Sequence, residues 1–200
     1  LADVARGVAR ALGFTYLDSG AMYRCVALAA LREGVDVEDG EALGELAWSL
    51  DIGFEGGSVR LDGRPVGGEI RSPEVTVAAS HVSVHPQVRQ AMVKRQRELI
   101  ATGEYVAEGR DIGTVVSPDS PLKVFLNASP EERARRRATE IGEDRPAVLK
   151  ALEDRDRRDR TREHGALRSA NDAVELDTTE LSVDQVVERV VALARERGLA

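Results

Sequence analysis

The sequence predicts an α/β fold built on a doubly wound parallel sheet. Short apolar segments typical of buried strands alternate along the chain with amphipathic helical segments, and this order favours parallel strands covered by helices. The 200 residues are 42% hydrophobic, which is sufficient for one sizeable core. We therefore expect one domain over residues 1–200.

The first third of the chain predicts a helix, a strand, a second helix and a hairpin. Val4, Val8 and Leu12 recur every four residues, as in a helix with one buried face, and Gly13 ends that helix. A strand follows over residues 14–17, and apolar positions 43, 46, 47 and 50 mark a later helix. Strands over 52–54 and 58–61, joined by a turn at 55–57, predict a small hairpin outside the main sheet.

Start signals and apolar spacing predict the remaining elements. Ser72 followed by Pro73 starts a helix, and apolar positions 88, 92 and 99 mark another. Strands are expected over 105–107, 123–127 and 173–177. Capping boxes are expected at 129–132 and 182–185, and the second begins a final helix with an apolar face at 183, 186, 187, 190 and 191.

Net charge and cysteine usage restrict the partners. The net charge of −7 argues against a general nucleic-acid or anionic-membrane binder, because those partners select basic surfaces. Cys25 is the only cysteine, so no internal disulfide can form, and its apolar neighbours predict a buried side chain. We expect a cytoplasmic monomer without nucleic-acid or membrane partners.

The turn after the strand at 105–107 is the most informative motif. The apolar run is followed directly by Glu108, Gly109, Arg110 and Asp111, so that a basic side chain stands next to an acidic one. Arginine binds phosphate through paired donors, whereas a neighbouring carboxylate accepts from an amino or hydroxyl group. A nucleoside monophosphate offers both groups. The alternative interpretation is a solvated turn with a local ion pair.

A second strand-to-helix junction carries Ser19 and Arg24. Ser19 directly follows the segment at 14–18, and its alternative interpretation is a helix cap, since serine side chains accept from the free amides at helix starts. Arg24 lies one helical turn further on, and a cap does not account for it.

These motifs, together with Ser80, Arg89 and the arginine-rich segment at 155–162, resemble the bacterial cytidylate kinase family, whose members phosphorylate CMP and dCMP. The resemblance runs from about residue 4 to the C-terminal helix. It includes Leu-Asp-Ser-Gly-Ala-Met-Tyr-Arg at 17–24, Glu-Ile-Arg-Ser-Pro-Glu-Val at 69–75, Gly-Arg-Asp at 109–111 and Ser-Pro-Glu-Glu-Arg-Ala at 129–134. Chance does not readily place several such strings in the same order.

The resemblance implies a P-loop nucleoside monophosphate kinase fold in three parts. A core of residues 1–23, 103–128 and 170–200 would carry a helical and hairpin substrate-binding insertion at 24–102 and an arginine-rich lid at 129–169. The implied activity is ATP-dependent phosphorylation of CMP and dCMP to CDP and dCDP, with Mg²⁺ arriving with ATP. The implied partners are the small nucleotides CMP, dCMP and ATP.

The resemblance also implies roles for individual residues. The residues implied for the CMP phosphate are Ser19, Arg24, Arg110 and Arg162. Those implied for the cytosine base are Ser80, Arg89 and Asp111, and those for the ribose are Asp159 and Arg155. The implied catalytic residues are Arg110, Arg162 and Arg155. Positions 155, 159 and 162 share one helical face, so a closing lid would present them together.

Several of these side chains have a second interpretation. Ser80 is alternatively a helical serine bonded to its own backbone, and Arg89 an exposed helix charge. Arg133 and Arg137 either lie over the ATP or pair with Glu132 or Glu140 at the surface. No metal-binding set of the chain's own residues is predicted.

One family element is missing from the sequence. Family members open with a strand and a phosphate-binding loop of the form G-x-x-x-x-G-K-[ST], whereas no glycine-lysine pair occurs here, and Leu1, Ala2 and Asp3 stand where the lysine and hydroxyl residue belong. We expect a fragment or an incomplete sequence, with a degenerate paralogue as the alternative. The alternative function is a CMP-binding module without phosphotransfer activity.

Overall fold

The structure is a computed structural model that describes residues 2–55, 57–161 and 165–199, without the side chains of Arg155 and Arg158. The chain divides into two compact units. One is Gly13–Gly109, and the other combines Leu1–Leu12 with Arg110–Ala200. Each unit contains helices and a parallel strand pair, which confirms the α/β class. One doubly wound sheet stays a prediction.

The helices and strands follow in chain order. They are α1 (Ala2–Leu12), β1 (Thr15–Asp18), α2 (Ser19–Glu33), α3 (Gly40–Ser49), β2 (Ile52–Glu55), β3 (Ser58–Leu61), β4 (Arg64–Pro65), α4 (Pro73–Val82), α5 (Pro86–Ile100), β5 (Tyr105–Glu108), β6 (Val124–Asn127), α6 (Pro130–Ile141), α7 (Arg145–Thr161), β7 (Val174–Asp177) and α8 (Val183–Glu196). The predicted helices and strands are all present, within a few residues of their expected bounds.

Three short elements are not predicted by the sequence. β4 adds a third strand to the predicted β2–β3 hairpin through only two register pairs, Arg60 with Pro65 and Leu61 with Arg64. A 3₁₀ turn covers Glu69–Arg71, and a π-helical turn covers Ile112–Val116. Elements this short have no apolar period to read, so tertiary contacts decide them.

The unit Gly13–Gly109 is built around an apolar core. β1 and β5 pair in parallel, with Thr15 opposite Tyr105 and Asp18 opposite Glu108. α2 packs on α4 and α3 packs on α5. Leucine, isoleucine, valine, methionine and alanine side chains from all these helices form one buried cluster. Cys25 lies in that cluster and is fully buried, which confirms the predicted buried cysteine. This burial raises the pKa of its thiol to about 12.

The second unit carries β6 and β7, which pair in parallel from Val124 opposite Val174 to Asn127 opposite Asp177. α1 packs on α8, and α6 packs on α7. The capping box at 182–185 is confirmed, since Ser182 and Gln185 each bond the other's backbone amide. No helix within the described ranges is both long and apolar enough to cross a membrane.

The predicted capping box at 129–132 is only half correct. Ser129 Oγ accepts from the Glu132 amide, as expected of an N-cap. The return bond is replaced, because the Ser129 amide donates instead to Thr179 Oγ1. The Glu132 carboxylate accepts from Arg135 and Arg136, one turn along α6. A side chain with strong charged partners so near does not reach back to the cap.

Candidate functional site

The carboxyl ends of β1 and β5 form one edge of the first strand pair. Asp18 ends β1 and accepts from the Ala21 amide at 2.9 Å, which makes Asp18 the N-cap of α2. Ser19 is therefore the first helical residue, and the helix-cap interpretation of Ser19 is wrong. Its buried Oγ instead donates to the Glu108 carbonyl oxygen at 2.7 Å, which links the start of α2 to the end of β5.

Tyr16 and Glu108 form a contact that sequence reasoning missed. The Tyr16 hydroxyl donates to the Glu108 carboxylate. The two residues are 92 positions apart, and only the parallel pairing of their strands brings them together. Glu108 thus receives one bond on its side chain and one on its carbonyl, immediately before the Gly-Arg-Asp turn.

Arg24 ties three elements of its unit together. Its Nη1 donates to the Ile70 carbonyl at 2.9 Å and to Thr76 Oγ1 at 2.7 Å. These bonds connect α2 with the 3₁₀ turn and with α4. The structure gives Arg24 a defined position, and its predicted phosphate contact stays a prediction.

Ser80 and Arg89 lie on α4 and α5. Ser80 Oγ donates to the Thr76 carbonyl at 3.3 Å, the arrangement of a helical serine bonded to its own backbone. Arg89 is only 7% exposed, so the interpretation of an exposed helix charge is wrong. Its guanidinium carbon lies 5.8 Å from the centroid of the Tyr23 ring, within cation–π range.

Arg110 is held by a buried carboxylate. Its Nε donates to Asp159 Oδ2 at 2.7 Å, and Asp159 is 2% exposed whereas 32% of the Arg110 side chain is exposed. The partners are 49 residues apart, so the interpretation of a local ion pair is wrong. The terminal nitrogens of Arg110 have no hydrogen-bond partner within the described part of the chain. The carboxylate thus orients a guanidinium whose outer donors remain available.

Asp111 begins the π-helical turn that follows Arg110. Its carbonyl accepts from the amides of Thr114, Val115 and Val116 at 2.8–3.3 Å, and the residue is buried. Asp111 therefore stands at the start of a hydrogen-bonded turn rather than on a loose loop, and Arg110 directly precedes it.

α7 carries two of the three residues predicted on one lid face. Arg155 and Asp159 both belong to this helix, which is described as far as Thr161. Arg162 lies outside the described residues, so its predicted contact with the CMP phosphate stays a prediction.

Arg133 and Arg137 both pair with acids. Arg133 Nη2 lies 2.6 Å from Asp156 Oδ2, so the ion-pair alternative with Glu132 or Glu140 does not describe this side chain, and its position near ATP stays a prediction. Arg135 and Arg136 already occupy Glu132, and their bonds lower the pKa of its carboxyl to about 2. Arg137 pairs with Glu140 at 2.9 Å, as the ion-pair alternative expects, and its position near ATP stays a prediction.

Metal binding depends on how the donor groups are arranged. No group of three or more histidine, cysteine, aspartate or glutamate side chains within the described ranges is arranged to hold a metal ion.

The chain is similar to known proteins over nearly its whole length. The family model "Cytidylate kinase" matches residues 2–196. Among curated relatives, the cytidylate kinase of Exiguobacterium sibiricum is 49% identical, with 96% of this chain and 90% of the relative aligned. That of Mycolicibacterium paratuberculosis is 47% identical over 98% of this chain and 90% of its own length. That of Solibacter usitatus is 46% identical over 97% and 87%. The chain therefore belongs to the cytidylate kinase family and is a kinase.

Proposed function

We propose that the protein transfers the terminal phosphoryl group of ATP to CMP and dCMP, forming CDP and dCDP. A phosphate oxygen of CMP attacks the terminal phosphorus of ATP, and the new P–O bond replaces the bond to ADP. The observation that carries the proposal is Arg110, oriented by the buried Asp159 and followed directly by the buried Asp111. The three relatives, all named cytidylate kinases, support the same reaction and give the binding-only alternative no support.

Charge neutralisation is the main requirement of this reaction. The transferred group and its flanking oxygens carry several negative charges, so positioning and cationic contacts matter more than a protein nucleophile. In the proposal, the CMP phosphate is bound by Ser19, Arg24, Arg110 and Arg162. Arg110 suits this role because Asp159 engages only its Nε, and the two outer nitrogens can then fork onto phosphate oxygens.

Base selection is assigned to Asp111, with Ser80 and Arg89 also contacting the base. Cytosine presents an amino donor at C4, where uracil presents a carbonyl acceptor. A carboxylate accepts from the amino group and repels the carbonyl, so Asp111 would favour CMP over UMP. The buried position of Arg89 supports a fixed contact, because a buried guanidinium loses few rotamers on binding.

The remaining site residues are assigned to the ribose, to the transfer step and to ATP. Asp159 and Arg155 are proposed at the ribose, and Arg155 and Arg162 are also proposed to act in the transfer. Arg133 and Arg137 are proposed near ATP. ATP would bring Mg²⁺ with it, and that ion supplies charge neutralisation when bound.

We also propose the division into a core, an insertion at 24–102 and a lid at 129–169. The cytoplasmic location and monomeric state stay predictions.

The proposed base contact predicts a change of selectivity in Asp111→Asn. The substitution removes the charge and adds a donor that can face the uracil carbonyl, so activity on CMP falls while activity on UMP falls less or rises. We expect the CMP-to-UMP ratio of kcat/KM to shift by about tenfold or more, equivalent to about 1.4 kcal/mol. A coupled ATP-dependent assay with CMP and with UMP measures the ratio. Equal loss on both nucleotides would remove Asp111 from base selection, and absence of CMP turnover in the unsubstituted protein would refute the proposed function.

Arg110→Lys tests the phosphate contact. Lysine keeps the charge but cannot reproduce the planar, two-pronged contact of a guanidinium. We expect a loss of about 2 kcal/mol or more in transition-state stabilisation, measured as kcat/KM for CMP. A near-normal kcat/KM in this variant would show that Arg110 does not make the proposed contact with the CMP phosphate.

A further inference from the structure

Lys123 is a buried cation to which the proposed mechanism assigns no role. It directly precedes β6, and only 8% of its side chain is exposed. Lysine is rarely buried unless paired, because the charged form loses its hydration. The burial of the Lys123 side chain must therefore be compensated by specific contacts.

The aliphatic stem of Lys123 lies against Gly113, inside the π-helical turn. A Cβ atom added at Gly113 would stand 3.2 Å from Lys123 Cδ and 3.4 Å from Cγ. The φ angle of Gly113 lies outside the left-handed region, so its backbone suits any residue and the constraint is the contact alone. The stem occupies the space that a side chain at 113 would need.

Both ends of Lys123 are anchored. Its Nζ lies 2.5 Å from Asp172 Oδ2, and this bond is the main reason that the pKa of the Asp172 carboxyl is lowered. Its carbonyl accepts from the Val174 amide at 2.9 Å, which fixes the backbone to β7. The stem between these anchors has little freedom to move away from Gly113.

Backbone hydrogen bonds connect the turn around Gly113 to Asp111. Three amides of the turn converge on the Asp111 carbonyl, and the Ser117 amide bonds the Ile112 carbonyl at 2.7 Å. A shift of one residue in so tight a unit moves the others with it.

We infer that Lys123 is a positioning residue for Asp111, because its stem supports the π-helical turn at Gly113 and so fixes the carboxylate that selects the base. The inference rests on the proposed function of Asp111. Misplacement of a reacting or selecting group by about 1 Å can change a rate by about 100-fold.

The experiment compares Lys123→Ala, which removes the stem, with Lys123→Met, which keeps most of it and removes the charge. Lys150→Ala, an exposed lysine on α7, is the control. We expect Lys123→Ala to shift the CMP-to-UMP ratio of kcat/KM by about fivefold, whereas Lys123→Met and Lys150→Ala retain it. Hydrogen exchange of the amides at 114–117 should also accelerate in Lys123→Ala, a readout independent of turnover.

A double-mutant cycle with Gly113→Ala sharpens the test. Because the stem is anchored, the added methyl group displaces the turn, so Gly113→Ala alone should shift the ratio, and the shift should shrink when Lys123 is also alanine. An unchanged ratio and unchanged exchange in Lys123→Ala would overturn the inference. An equal fall in thermal stability in both Lys123 variants with no change in the ratio would do so too, because it would show a purely structural role. If Asp111→Asn leaves the ratio unchanged, the proposed base contact fails separately.

Discussion

The unit Gly13–Gly109 and the helical pair α6–α7 are stabilised in different ways. The first buries one apolar cluster drawn from four helices and several strands. In the second, Ala134 and Val148 are buried, whereas ion pairs make many of the remaining contacts, among them Arg133 with Asp156 and Arg137 with Glu140. Apolar burial responds little to salt, but exposed charge pairs are screened by it. The α6–α7 pair should therefore open at lower cost, as the proposed lid would require.

The largest expected effect lies in the apolar unit. Leu43→Ala empties a fully buried position, so the free energy of unfolding should fall by about 3 kcal/mol through lost burial and the cavity left behind. Urea unfolding measures the change. Val77→Ala, at a position 63% exposed, is the matched control and should change it by less than about 0.5 kcal/mol. Similar losses in both variants would contradict an apolar cluster as the main source of stability in this unit.

Asp159→Asn should have an intermediate effect. It removes the buried partner of Arg110, but Arg110 is partly solvated, so we expect a loss of about 2 kcal/mol, below the roughly 3–5 kcal/mol typical of a fully buried pair. Urea unfolding at low and high salt gives the measurement. Glu140→Gln, in an exposed pair, is the control and should lose stability only at low salt. A loss as small as that of the control would mean that burial adds nothing to the Arg110–Asp159 pair.

The smallest effect concerns Glu132 and pH. Its pKa is lowered from 4.5 to about 2 by hydrogen bonds from Arg135 and Arg136, so the carboxylate stabilises the fold at pH above 4.5. That contribution declines as the pH falls towards about 2, because the folded state must then take up the proton that the unfolded state already holds. Thermal unfolding should therefore show Glu132→Gln less stable than the unsubstituted protein at pH 6, with the difference shrinking as the pH falls through about 2. A difference that is constant with pH would assign the effect to packing.

Local signals predicted much of the fold. Ser72 caps α4 by accepting from the Val75 amide, and Pro73 occupies its first turn, as the sequence indicates. Such caps depend only on residues within one helical turn, so they can be predicted without knowledge of the rest of the chain. The Gly-Arg-Asp motif and the other short strings likewise predicted the family, and the match over residues 2–196 confirms it.

Side-chain partners were predicted poorly. One interpretation of Arg133 is an ion pair with Glu132 or Glu140, but Arg133 pairs with Asp156 on another helix. Ser19 was considered as a cap, but Asp18 takes that position and Ser19 bonds Glu108. In both cases a nearby residue competes more favourably, and the outcome depends on which elements pack together.

By itself, the sequence determined the order of the longer helices and strands, the caps at Ser72 and Ser182, the buried cysteine and membership of the family, because each depends on local pattern or on strings read in order. Only the tertiary structure decided that Asp159 holds Arg110, that Tyr16 bonds Glu108 and that Lys123 lies beneath Gly113. These contacts join residues distant in the chain, and no local preference specifies them. They exist because packing of the apolar faces and strand pairing set the distances, and the polar groups then bond whatever partner is brought within reach.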